Sequence, residues 1–311
     1  MRIRYSVVAA GLLLLAGLSA PSRASAQLEP TLDSARLLRN LSVLAHDSMA
    51  GRATGTPGAQ RVRVFLVGEL EAAGISPAYA GLLRTFAWSG RSGVNIVGIV
   101  HGRAAPDDDV IVITAHYDHL GTRDGEVYNG ADDNASGVAA LLEIGRQLVA
   151  TPLGHTAVLA FMDAEEAGLR GSRAFIAEPP LPMERIALNV NLDMVARADG
   201  VLWAAGAFHT PALRPVLDRL ATTTPLKLRL GHDRPGAPEG DDWTYSSDHA
   251  PFHAAGIPFV YLGVEDHPDY HEPTDDLDRI DPGELTASVR TIMMVLRALD
   301  RALPLEPAPS R

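Results

Sequence analysis

The sequence contains no cysteine among its 311 residues. This absence excludes disulfide bonds, thiolate metal ligands and a cysteine nucleophile. Basic residues are also fewer than acidic ones, 27 against 38, which gives a net charge of −11. Neither sign forms a long run in the sequence. A surface of this charge repels nucleic acids and anionic membranes, so neither is expected as a partner.

The sequence also lacks an apolar run long enough to cross a bilayer, which takes about 20 residues. Its longest apolar stretch covers residues 7–18, follows two arginines and is followed by small residues at 24–26. These three features are typical of a cleaved secretory signal peptide. We therefore predict a signal peptide over residues 1–26, a secreted or periplasmic location, and no membrane contact after cleavage.

The rest of the chain alternates between helical and strand-like patterns. Apolar residues at helical spacing predict helices at 32–44, 62–73, 138–149, 170–177, 211–221 and 284–303. Short runs rich in β-branched residues predict strands at 95–100, 110–115, 156–162, 186–192 and 259–262. Apolar strands that alternate with helices indicate a mainly parallel sheet covered on both faces. The sequence thus predicts one α/β domain over residues 27–303 and a disordered, proline-rich tail at 304–311.

Several candidate ligands follow the predicted strands, where ligands gather in sheets of this kind. The strand at 110–115 runs into His116 and Asp118. Residues i and i+2 of a strand point to the same side, so these two side chains can share one space. Asp118 can hold the histidine ring or bind a metal itself. Alone, the pair is more often a hydrogen-bonded histidine at a strand end.

Two acidic pairs form the next candidates. Asp132 and Asp133 lie in the loop 130–137 before a predicted helix, and Glu165 and Glu166 follow the strand at 156–162. Neighbouring side chains diverge, so one glutamate can bind a metal while the other points at its bound water. The alternatives are a helix-capping loop, with Asn134 or Ser136 as the cap, and a solvated acidic turn. Asp193, after the strand at 186–192, and His271, in a late turn, complete the candidates.

In this order, the motifs closely resemble the co-catalytic zinc aminopeptidases of metallopeptidase family twenty-eight. That family also contains glutamate carboxypeptidases and, as relatives, glutaminyl cyclases. The resemblance implies a three-layer α/β/α domain with a central mixed, mainly parallel sheet. It runs from about Leu37 to the last predicted helix, and its strongest matches are His116-Tyr117-Asp118, 130–137, 165–172, 191–194, 247–249 and 270–271.

The resemblance also implies a site with two zinc ions and assigns its ligands. Asp133 would bridge both ions, and the peptide bond that follows it is cis in relatives. Glu166 and His271 would complete the ligands of one zinc, while His116 and Asp193 would complete those of the other. Three further histidines compete with His271 for its position: His249, His253 and His267.

Further residues would act beside the metals. Glu165 would be the general base, and Asp118 would hold the ring of His116. Tyr270 would either donate to the developing oxyanion or pack beneath the site. Arg197 is the arginine that we expect to touch substrate.

The predicted function is a secreted di-zinc exopeptidase that acts on peptides, and we favour an aminopeptidase. A carboxypeptidase needs clustered cations for the terminal carboxylate, whereas Arg170, Arg173 and Arg197 are scattered in the sequence. The net negative charge also favours a cationic terminus. The alternatives are a carboxypeptidase or a glutaminyl cyclase on the same fold, and an inactive binding module. A serine hydrolase is excluded, because three consecutive residues at 247–249 cannot form a catalytic triad.

Overall fold

The structure is a computed structural model that describes residues 32–103, 109–238 and 240–305. The predicted signal peptide and residues 306–311 of the predicted tail lie outside the described residues. In these described ranges, every helix is too short or too polar to traverse a bilayer.

The described residues form seven α-helices and eleven strands. The helices are α1 (Ser34–Leu44), α2 (Pro57–Ala72), α3 (Gly137–Ala150), α4 (Arg170–Ala177), α5 (Arg214–Asp218), α6 (His249–Ala254) and α7 (Pro282–Ala302). The strands are β1 (Ser76–Pro77), β2 (Leu83–Trp88), β3 (Arg91–Val100), β4 (Val110–His116), β5 (Gly121–Arg123), β6 (Glu126–Tyr128), β7 (Thr156–Met162), β8 (Ile186–Leu192), β9 (Val201–Ala205), β10 (Lys227–Leu230) and β11 (Phe259–Gly263).

Nine of these strands form one mixed sheet in the order β1-β3-β7-β4-β8-β11-β9-β10, with β2 paired to β3. The four central strands β7, β4, β8 and β11 are parallel to one another, and so are β9 and β10. The remaining neighbours pair antiparallel. The central strands were found as apolar runs because both of their faces are buried. Their direction depends on tertiary pairing, which an apolar run does not encode.

Helices cover both faces of the sheet, which confirms the three-layer α/β/α fold. Alternate residues of β4 point to opposite cores: Ile111 and Ile113 join the larger core beneath α1, α2, α3 and α7. Val110 and Val112 join the smaller core, which contains Phe175 of α4 and Phe252 of α6. Each buried apolar side chain of this size contributes about 1.5–3 kcal/mol to folding.

The parallel centre of the sheet decides where the functional loops lie. Because β7, β4, β8 and β11 run in the same direction, their carboxyl ends meet at one edge. The loops after these strands, together with the turn before α3, therefore converge there. This edge receives the side chains that the sequence singled out.

Arg52 joins these loops to the rest of the fold. Its side chain is fully buried, and its guanidinium donates hydrogen bonds to five backbone carbonyl oxygens: those of Leu44, Tyr117, Asn129, Gly130 and Asp133. Burial lowers the pKa of Arg52 to about 10, against the opposing effect of nearby carboxylates, so the side chain is cationic at neutral pH. One arginine thus fixes the end of α1, the loop after β4 and the turn before α3.

We predict that Arg52→Met lowers the free energy of unfolding of the metal-free protein by about 3 kcal/mol or more. The thioether fills part of the space but donates no hydrogen bond, so several buried carbonyls lose their donor. Urea denaturation gives the measurement. Arg61→Met, an exposed position on α2, is the control and should change stability by less than about 0.5 kcal/mol. Equal stability of the two variants would contradict this role for Arg52.

Candidate metal centre

His116, Asp133 and Asp193 form a first cluster of possible metal ligands. His116 Nε2 lies 3.4 Å from Asp133 Oδ1 and 3.3 Å from Asp193 Oδ1. All three side chains are buried, at the end of β4, in the turn before α3 and after β8 respectively.

A second cluster uses the other oxygen of Asp133. His271 Nε2 lies 3.1 Å from Asp133 Oδ2 and 3.4 Å from Glu166 Oε2. Asp133 therefore faces one cluster with each carboxylate oxygen. Two ligand atoms bound at 2.0–2.1 Å to a tetrahedral zinc stand about 3.3 Å apart, and these four distances lie close to that value.

The turn that carries Asp133 is held from several sides. The carboxylate of Asp275 accepts hydrogen bonds from the backbone nitrogens of Asp132 and Asp133, at 3.0 Å each. Asn134 donates to the carbonyl of Leu192 at 2.9 Å. The peptide bond between Asp133 and Asn134 is cis, as the family resemblance implied. These bonds fix Asp133 relative to the end of β8.

Asp118 has different contacts from those that the resemblance implied. His116 Nδ1 lies 3.1 Å from the backbone carbonyl of Asp118 but 3.8 Å from its carboxylate. The carboxylate instead accepts hydrogen bonds from the backbone nitrogens of Glu165, at 3.0 Å, and Glu166, at 3.3 Å. Asp118 thus holds the His116 ring with its main chain and the glutamate turn with its side chain.

Beside the ligand clusters lies a cavity of about 160 Å³. Glu165 and Tyr270 both line it, together with ligands from each cluster. Tyr270 stacks on His271, with ring centroids 4.0 Å apart. Burial raises the pKa of Tyr270, so its hydroxyl keeps its proton at neutral pH.

Arg197 lies outside the described lining of this cavity. Its Nη1 atom is 2.6 Å from a carboxylate oxygen of Asp269 and 2.8 Å from Nδ1 of His267. His267 in turn faces Asp132, with 3.4 Å between Nε2 and Oδ2. These contacts link the loop after β8 to the loop after β11.

The other two competing histidines lie away from both clusters. His249 is buried with Nε2 at 2.8 Å from the carbonyl of Trp243, and its ring stacks on Phe259. His253 packs against His209 at 4.6 Å between ring centroids. Of the four late histidines considered from the sequence, His271 alone reaches both Asp133 and Glu166 among the described contacts.

His119 is a candidate that the sequence analysis missed. It is buried, and its Nδ1 lies 2.8 Å from Glu166 Oε1 and 3.7 Å from Asp133 Oδ2. With Asp133 and Glu166, His119 forms an alternative group of three possible metal ligands, in which it takes the place of His271. Its position next to Asp118 in the sequence was the only hint of this role. Side chains in a loop follow no regular period, so the sequence could not predict that His119 points toward Glu166.

The site concentrates negative charge. Burial raises the pKa of Glu165 well above its usual range, although His116 opposes this, and burial also raises the pKa of Asp193. Hydrogen bonds to Asp133 and Glu166 raise the pKa of His271 to about 10. Both effects favour positive charge beside these carboxylates, since burial disfavours their charged form and hydrogen bonds to them favour a charged histidine. A divalent cation would provide that charge, so the donor set fits a metal of the zinc type.

Comparison with known proteins agrees with this geometry. Residues 95–296 match the model of "Peptidase family M28". Aminopeptidase YwaD of Bacillus subtilis is 30% identical over 207 residues, which cover 64% of this chain and 43% of that protein. The chain spans about half the length of the curated relatives that it matches.

Solved structures share the fold at low identity. A zinc aminopeptidase from Bacillus subtilis, BSAP, superposes with a TM-score of 0.68 at 17% identity, covering 86% of this chain and 96% of that one. Porphyromonas gingivalis glutaminyl cyclase superposes with a TM-score of 0.68 at 22% identity, covering 88% and 99%. The family match extends from β3 to α7 and contains every predicted metal-ligand and catalytic residue. The predicted family is thereby confirmed: this chain belongs to peptidase family M28.

Proposed function

We propose that this protein is a di-zinc aminopeptidase that releases single residues from the N-termini of peptides. One observation carries the proposal: the two oxygens of Asp133 face two separate ligand clusters. Within these clusters, the described ligand atoms stand 3.1–3.4 Å apart. The names of relatives support it, since they include a zinc aminopeptidase and Aminopeptidase YwaD.

His116, Asp133 and Asp193 would hold one zinc, and Asp133, Glu166 and His271 would hold the other. Bound zinc supplies Lewis acidity, which lowers the pKa of water and polarises a peptide carbonyl. Three carboxylates offset three of the four positive charges of two zinc ions. The site thereby becomes close to neutral without a cation from the protein.

The residues around the cavity would transfer protons, position the base and stabilise the developing negative charge. Glu165 would accept a proton from the attacking water and then donate one to the amine of the leaving chain. Asp118 would keep Glu165 in place through the backbone hydrogen bond of 3.0 Å. Tyr270, protonated at neutral pH, would donate to the carbonyl oxygen as negative charge develops there.

The cavity's charge favours the N-terminal end of a peptide. Besides the carboxylates that would bind zinc, Glu165 and Asp266 line it, and the described lining contains neither lysine nor arginine. A free α-amino group is cationic and would be attracted, whereas a terminal carboxylate would be repelled. The lining also includes the apolar and aromatic side chains of Met194, Trp243, Tyr261 and Val264, so we expect apolar N-terminal residues to bind best.

We also propose that the protein is exported, which rests on the signal-like pattern of residues 1–26. An exported enzyme of this kind would meet peptides outside the cytoplasm.

The two adjacent glutamates give a sharp test of the assigned roles. We predict that Glu165→Gln lowers kcat by about 10²–10⁴-fold, because the base is lost, while the protein still binds close to two zinc ions. Glu166→Gln should instead lower zinc occupancy to about one per chain, because one ligand is weakened. Elemental analysis and peptide hydrolysis by each purified variant provide the measurements.

The wild-type protein and a chelator-treated sample are the controls for this pair. Chelation should abolish activity and lower the melting temperature, since metal binds the folded chain. A zinc-free wild type that hydrolyses peptides at full rate would refute the two-metal proposal. Reversed phenotypes of the two variants would show that their roles are exchanged.

A second prediction concerns which end of a peptide substrate the enzyme recognises. A leucyl peptide with a free amine should be hydrolysed, and its N-acetylated form should lose most of the rate because the cationic group is gone. Chromatography of the products distinguishes the possible reactions. Release of C-terminal residues would indicate a carboxypeptidase. In a parallel assay with a glutaminyl peptide, loss of ammonia from the N-terminal glutamine without hydrolysis would indicate a cyclase.

A further inference from the structure

His119 contacts the glutamate that the proposed function assigns to one metal, and it does so from the protein interior. Its side chain is fully buried, and Nδ1 lies 2.8 Å from Glu166 Oε1. The other oxygen, Oε2, is the one that faces His271 at 3.4 Å. The two carboxylate oxygens of Glu166 therefore have different neighbours.

The space around the His119 ring is narrow. A Cβ atom on Gly130 would stand 2.5 Å from Cδ2 of this ring, closer than real Cβ contacts allow. Gly130 also adopts a φ of +52°, which disfavours side chains. A glycine at position 130 thus gives the ring its place beside Glu166.

The distances separate a hydrogen bond from metal ligation. A contact of 2.8 Å is typical of a charge-assisted N–H···O bond, whereas two ligands of one tetrahedral zinc stand about 3.3 Å apart. Nδ1 is 3.7 Å from Asp133 Oδ2, too far for a hydrogen bond. The short contact with one carboxylate oxygen indicates that the ring is a donor.

The other ring nitrogen agrees with this assignment. Nε2 of His119 is buried and has no hydrogen-bond partner among the described residues. In the neutral tautomer that protonates Nδ1, the single N–H of the ring makes the bond to Glu166. Nε2 then carries a lone pair, so no N–H is left without an acceptor.

We propose that His119 is a positioning residue for one metal site: its Nδ1–H holds Oε1 of Glu166 and leaves Oε2 facing His271, so that Glu166, Asp133 and His271 would hold the metal together. This inference rests on the proposed function, because it assumes that Glu166 is a ligand. It makes the two metal sites unequal, since among the described contacts His119 forms an ion pair or hydrogen bond with Asp133 and Glu166 but with neither Asp193 nor His116. Loss of the donor should weaken one site and spare the other.

Two substitutions of similar size test this role. His119→Leu fills the space without a donor. His119→Asn places an amide N–H near the position of Nδ1, and an amide nitrogen does not bind zinc. Zinc is titrated into metal-free protein by calorimetry, with a competing chelator for tight sites. His101→Ala, which removes an exposed histidine, is the matched control and should bind zinc like the wild type.

We expect His119→Leu to weaken one of two zinc sites by about 10–100-fold, the usual effect of losing a residue that orients a ligand. His119→Asn should recover most of that affinity. Equal weakening by both substitutions would mean that His119 binds the metal directly, which overturns the donor role. Unchanged affinity in His119→Leu would overturn it as well. A wild type without zinc affinity would refute the proposed function itself, and the control variant would behave in the same way.

Discussion

The repulsion among buried carboxylates is the constraint around which this site is arranged. Asp118, Asp133 and Asp193 are at least nine-tenths buried, and Glu165 and Glu166 lie directly beside them. Burial of like charges is costly unless a cation or hydrogen bonds compensate for it. The fold meets this demand with backbone N–H groups at Asp118, with histidines at Asp133, and with the space between ligand atoms that a divalent cation would occupy.

Rigid support for such a site must come from outside it. The parallel strands β7, β4, β8 and β11 bring four chain segments to one edge, but strand ends alone do not hold the loops that follow them. Arg52 and Asp275 add that support, because both form hydrogen bonds with the main chain of the turn that carries Asp133. A candidate metal site with this support would be largely formed before a metal binds, which would reduce the entropy lost on binding.

The sequence predicted much of this arrangement, and its failures have physical causes. The apolar runs of β7 and β8 were located at the observed bounds, because strands buried on both faces leave a continuous signal. The exposed strand β2 was missed, since four of its six residues face solvent and its pattern is weak. The predicted helix at 211–221 is shorter, with a 3₁₀ turn at Pro211–Leu213 before α5. Pro215 lies at its start and fits a new helix rather than a continuing one.

Within the site, the family motifs identified the residues that surround Asp133 in the structure, but they did not identify His119 or Arg52. Both act through contacts across more than 40 residues of sequence, His119 with Glu166 and Arg52 with the turn at Gly130. No local period reveals such contacts. The same limit explains Asp118, whose carboxylate finds its partners 47 and 48 residues later in the chain.

Arg52 has a consequence for how this protein can change during evolution. All five of its hydrogen bonds end on carbonyl oxygens, which every amino acid possesses. Substitution at Leu44 or Asn129 therefore leaves the acceptor in place, provided the backbone keeps its path. Replacement of the arginine removes all five bonds at once. Selection for this set of hydrogen bonds therefore acts on position 52. The positions whose carbonyls Arg52 binds can vary as far as their other contacts permit.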